Sequence, residues 1–166
     1  MLLFLLACPG QDAGADSAST FVAMQSDFAD FATWDRTSVP GSETGTGHGA
    51  TSKSVYLNFL PEDGATEFAV GTMLVKVTPV DDGRAIHAMV KRGGGYNAEG
   101  AVDWEFFELV MADDGVTPVI DWRGIEPPFG SGYLCVIDEG DTAVVADCNG
   151  CHMAGSGNDF VHSIPL

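Results

Sequence analysis

The chain has 166 residues, of which 7 are Lys or Arg and 24 are Asp or Glu, for a formal charge of −17, and it is 45% hydrophobic and 10% aromatic. Apolar content on that scale can offset chain entropy, so the acidity belongs to a folded unit rather than a disordered tail, and the length suits one domain. So negative a field repels phosphate backbones and anionic headgroups, which argues against a nucleic-acid reader or a polybasic membrane binder, and no apolar run reaches the roughly 18 residues of a helical membrane span.

The first eight residues close on Leu5-Leu6-Ala7-Cys8, an apolar run ending in a small residue and a cysteine. The run resembles a bacterial lipoprotein signal, although it lacks a basic stretch and is short. The resemblance implies cleavage before Cys8, a lipid anchor on that cysteine and a periplasmic or cell-envelope location; an incidental cysteine in a frayed terminus is the alternative. Residues 9–19 are small, polar and without pattern, which reads as a flexible tether and leaves 20–166 as the folded domain.

Phe21, Met24, Phe28, Phe31 and Trp34 recur at steps of three and four behind Ser19-Thr20, which predicts an amphipathic helix. The glycine-rich stretch 39–49 predicts a loop, with His48 in solvent. Runs rich in β-branched and aromatic residues at 54–60, 72–78, 85–90, 102–111, 133–137 and 142–146 then predict six strands, separated by Gly, Pro and Asp clusters. The connections are too short for crossover helices, so the expected class is α+β: a mainly antiparallel sheet, an N-terminal amphipathic helix and a short C-terminal helix.

That last helix would carry Cys148-Asn149-Gly150-Cys151-His152, a C-x-x-C-H run. Two thiols one helical turn apart can add across the two vinyl groups of one haem, and the adjoining imidazole then serves as the axial ligand, so the motif predicts one covalently attached haem c on Cys148 and Cys151 with iron on His152. A zinc site recruiting Cys135 or His162, or a thioredoxin-like dithiol, is the competing reading; neither the second ligand pair of the first nor the βαβ frame of the second is evident. Cys135 reads as a small buried residue with no disulfide partner once the other three cysteines are assigned.

The motif stands near the end of a strand-rich chain, unlike its place in small helical cytochromes. Together with Phe31-Ala32-Thr33-Trp34, Val55-Tyr56-Leu57-Asn58, Gly71-Thr72-Met73-Leu74-Val75-Lys76, Ala88-Met89-Val90-Lys91, Asp103-Trp104-Glu105-Phe106-Phe107 and Asp159-Phe160-Val161, taken in that order, it resembles the cytochrome P-460 family, which includes the cytochromes c-prime-beta. The resemblance covers residues 21–166. It implies a homodimeric antiparallel fold with a five-coordinate haem that is open on its distal side.

In members that oxidise hydroxylamine, a lysine of the G-T-x-x-V-K strand is bonded to the haem edge, and the matching residue is Lys76. The plain reading of Lys76 is a solvated strand lysine. The family also places an acidic residue in the distal pocket to take protons from substrate. The matching position is His87, a departure that an imidazole can still serve as general base, unless it is a pocket hydrogen-bonder or a sixth iron ligand. Lys53 is a candidate distal base, against the expectation that a strand-end lysine is exposed; Met73 and Met89 read as core.

The functional expectation is an exported mono-haem oxidoreductase acting on a small nitrogen compound, hydroxylamine first. A protein that binds nitric oxide or another diatomic gas without turnover is the alternative, and an electron-transfer module, which needs a strong sixth ligand, is the third reading. The acidity suggests a basic redox partner.

Overall fold

The computed structural model describes residues 19–40, 52–81, 83–128, 135–139 and 142–166, with 135–139 and 142–146 described by backbone alone. Cys8, residues 9–18 of the tether, His48, Tyr133 and the side chain of Cys135 lie outside the described residues.

Six strands form one antiparallel sheet in chain order: β1 (Asp35–Val39), β2 (Lys53–Leu57), β3 (Met73–Val80), β4 (Gly83–Lys91), β5 (Trp104–Met111) and β6 (Pro118–Gly124). A separate hairpin of β7 (Cys135–Glu139) and β8 (Thr142–Ala146) leads into a short helix, α1 (Cys148–Met153). All six expected runs overlap a strand, four of them β2 to β5 in the central sheet and two the hairpin, with described bounds that differ by one to three residues at several ends.

Two strands were not expected. β1 reads Asp-Arg-Thr-Ser-Val, and its first four residues are exposed, so it carries no apolar alternation; it is a polar edge strand, the usual way an open edge is kept from pairing further. β6 opens on Pro118 and contains Asp121, both of which read as strand breakers but are tolerated at the opposite edge.

The expected N-terminal helix is instead two 3-10 segments, Gln25–Phe28 and Phe31–Thr33. Short polar side chains bond the local backbone here: Asp27 Oδ2 accepts from Met24 N at 2.7 Å, and Thr33 Oγ1 donates to Asp30 O at 2.8 Å. Such bonds compete with continuous α-helix. The apolar spacing still does its work, since Phe28 and Phe31 are buried, Phe28 packing on Phe107 at 5.3 Å and Phe31 on Tyr56 at 5.5 Å between ring centroids.

The sheet is buried on both faces. One face, including Met73, Val75, Ala88, Val90 and Phe107, packs under the 3-10 segments. The other, including Val55, Leu57, Leu74, Met89, Trp104 and Phe106, packs under Val161, with Cys148 and Phe160 against it. β5 therefore reads as a run of six buried residues, Trp104 to Leu109, with two glutamates inside it. Glu105 belongs to the first face, where Arg123 grips it with two bonds of 2.7 Å and Arg92 adds a third at 3.1 Å. Glu108 belongs to the second face, which carries the cavity.

Candidate functional site

The second face and the C-terminal segment enclose a cavity of about 300 Å³. Its polar wall follows from register. Lys76 lies directly opposite His87, and His87 directly opposite Glu108, so the three form one row across β3, β4 and β5, flanked by Val55 and Trp122. Directly opposed residues share a face, so Lys76, His87 and Glu108 all line the cavity. A register irregularity between Glu108 and Leu109 sets Asp121 as an extra residue of β6 beside Glu108.

His87 Nε2 lies 3.1 Å from Glu108 Oε2. Burial, with the nearby Lys76 ammonium, pushes the His87 imidazolium down to about 3, so His87 is neutral at physiological pH. Burial, with the Asp121 charge, pushes the Glu108 carboxyl up to about 7 against the opposing pull of Lys76. The contact is therefore a neutral imidazole beside a carboxyl poised to exchange its proton near neutrality, not a fixed ion pair. Lys53 was expected to be exposed; it is buried and lines the same cavity, because residues 53, 55 and 57 of β2 are those turned to this face.

The opposite wall is α1. Asp147 caps it, its Oδ1 accepting from Gly150 N at 2.6 Å. Six residues cannot hold a helix unaided, and Asn149 supplies the outside grip. Asn149 and Asn97 exchange reciprocal amide bonds of 2.6 and 3.0 Å, and Asn149 Oδ1 also accepts from Ala101 N at 3.0 Å. The approach is so close that a Cβ on Gly100 would stand 2.4 Å from Asn149.

The helix thus holds Cys148 and Cys151 one turn apart, both half-buried and both lining the cavity with His152. Burial pushes the Cys148 thiol up to about 12, with Asp147 adding to the effect. His152 Nδ1 donates to Phe160 O at 2.8 Å, which fixes the tautomer and leaves the lone pair on Nε2. Burial lowers His152 to about 4, keeping that ring neutral. Its ring packs against Phe106 at 5.0 Å and His162 at 5.5 Å between centroids, and His162 Nε2 donates to Cys151 O at 3.0 Å.

All five residues singled out from the sequence, Lys76, His87, Cys148, Cys151 and His152, line this one cavity. Met89 lines it as well, whereas Met73 packs in the core of the other face. Sequence reasoning missed Glu108, whose signal was a second carboxylate within an otherwise apolar strand, in phase with Trp104 and Phe106. It also missed the Asn97–Asn149 clasp, which joins residues 52 positions apart. No group of three or more His, Cys, Asp or Glu side chains is gathered as a metal cluster among the described residues.

Comparison with family models, with curated proteins and with solved structures finds no match to this chain. The site must therefore be read from its own chemistry.

Proposed function

We propose that this chain is an exported c-type mono-haem oxidoreductase of the cytochrome P-460 kind, with hydroxylamine as its substrate. The observation that carries the reading is the pairing of two walls around one cavity: Cys148, Cys151 and His152 on α1, and Lys76, His87 and Glu108 on the sheet. The residues present suit the group. Two thiols a helical turn apart would form its thioethers, and His152 would meet the metal through Nε2, the nitrogen its bond to Phe160 leaves with a lone pair. Val55, Leu74, Met89 and Phe106 offer apolar surface to a flat macrocycle. Lys76 would bond the edge of the ring, as the resemblance implies.

When bound, haem c supplies the one-electron redox chemistry. The chain's own residues supply the rest. Glu108, ionised above about pH 7, takes protons released as hydroxylamine is oxidised. His87, neutral and 3.1 Å from Glu108, orients that carboxyl and offers a second proton-exchanging nitrogen. The acidic role that the resemblance assigns to the position of His87 thus passes to Glu108 on the neighbouring strand. Homodimer formation, a basic redox partner and a periplasmic lipid anchor through Cys8 belong to the same proposal.

The test is turnover by the matured protein with hydroxylamine and an artificial electron acceptor. Acceptor reduction that falls on Glu108→Gln substitution supports the reading. Tight nitric oxide binding without acceptor reduction would replace it with gas binding, which the apolar remainder of the cavity wall would suit.

A further inference from the structure

Beneath the cavity, Lys91 and Asp159 form a salt bridge of 2.6 Å with both side chains almost wholly buried. Asp159 Oδ1 also lies 3.4 Å from Trp104 Nε1, and its Oδ2 accepts from Phe68 N at 2.9 Å. The Lys91 ammonium stands 5.3 Å over the Trp104 ring. One carboxylate thus ties the C-terminal segment to β4, to β5 and to the chain at residue 68.

Stability is a poor explanation for this pair. Desolvating two charges offsets most of their attraction, and well-packed apolar replacements are often neutral or better. Its placement offers a different reason. Asp159 and Phe160 are consecutive residues with φ of +49° and +65°, a left-handed conformation that non-glycine residues rarely adopt. That turn is closed by Phe160 N donating to Gly155 O at 2.9 Å and Val161 N donating to Asn158 O at 3.0 Å. It directs the Phe160 carbonyl at His152 Nδ1, 2.8 Å away.

We infer that the buried Lys91–Asp159 pair is the positioning device for the axial imidazole: by fixing the Phe160 carbonyl, it sets how strongly His152 donates to the metal it ligates. This rests on the haem reading above. A ligating histidine becomes a stronger donor when its other N–H is firmly hydrogen-bonded, and such outer partners tune a metal site without touching the metal. Loosening the Phe160 carbonyl weakens that donation and favours the ferrous over the ferric state.

The experiment uses the matured full chain. Asp159→Asn keeps the shape but leaves Lys91 buried without a counter-charge. The double variant Lys91→Met/Asp159→Asn removes both charges and with them that penalty. Two readouts are taken, the reduction potential and the ferrous iron–histidine stretching frequency. The expected result in both variants is a roughly tenfold shift toward the ferrous form, which is about 59 mV upward for a one-electron couple, with a lower stretching frequency. Glu105→Gln, which breaks the ion pair on the opposite face, leaves both readouts at wild-type values. Should the double variant retain haem and the wild-type potential and frequency, the inference is overturned while the haem reading stands. Absence of haem from the wild type overturns the haem reading and this inference together.

Discussion

In the proposed reaction, Glu108 is the residue on which the chemistry turns. A carboxyl in water is ionised well below neutrality and is a weak base; burial between β4 and β6 and the charge of Asp121 bring this one to about 7. A general base acts in its ionised form, so turnover should rise with pH through about 7 and level off above it. Glu108→Gln should lower kcat by about 10²- to 10⁴-fold and abolish that rise, as a pH–rate profile will read. Stability carries the opposite sign. The raised carboxyl binds more protons folded than unfolded between its ordinary value near 4.5 and about 7. Its contribution is therefore full below that window and lost as pH rises through it. Denaturant melts of wild type and Glu108→Gln across that range should converge at low pH in this term and part at high pH.

The residues of the site were unevenly legible. Cys148, Cys151 and His152 announce themselves because the covalent attachment proposed for them demands a fixed local spacing. Glu108 does not, since its place comes from register: it lies beside His87 only because β4 and β5 pair residue 87 with 108. No local pattern encodes that pairing.

At the scale of elements, α1 is the weak piece. Six residues gain too little from their own hydrogen bonds to offset nucleation, so the helix exists because Asp147 caps it and Asn149 is clasped from outside. Asn149→Ala leaves the buried Asn97 amide without its reciprocal partner, at a cost of about 1–3 kcal/mol. The measurement is the shift in the denaturant midpoint at unchanged slope, and a shift near zero would mean that α1 is held by something else.

The strands were legible where burial is two-sided or alternating, as in β3, β4 and β5. They were not at the edges, where β1 is polar and β6 opens on a proline. The N-terminal segment shows why spacing alone is ambiguous: 3-10 and α-helical turns both bring residues three or four apart to one side. Asp27 and Thr33 decided between them through local bonds.

For the whole molecule, the distribution of charge matters more than its sum. The sequence holds three lysines, and all three sit on the cavity face of the sheet: Lys53 and Lys76 line the cavity, and Lys91 is buried beside it. Of the four arginines, Arg92 and Arg123 are committed to Glu105. Three carboxylates, Glu105, Glu108 and Asp159, are buried as well, so among the described residues burial withdraws similar numbers of both signs, and most of the formal charge of −17 stays at the surface. A basic electron acceptor should be steered to it, so the association rate measured by stopped flow should fall steeply as salt rises above roughly 0.1 M. A rate independent of salt would remove electrostatic steering from the account.

Placing every lysine on this face also gives Lys76 a setting unlike that of a solvated strand lysine, within reach of whatever fills the cavity. The most direct test of the central claim is peptide mass spectrometry on protein made in a host that matures c-type cytochromes, asking which residues stay bonded to haem after digestion. The expected result is haem joining the peptide of Cys148 and Cys151 to the peptide of Lys76. Haem on the two cysteines alone would contradict the hydroxylamine-oxidising assignment and favour gas binding, and peptides free of haem would contradict the whole reading of the cavity.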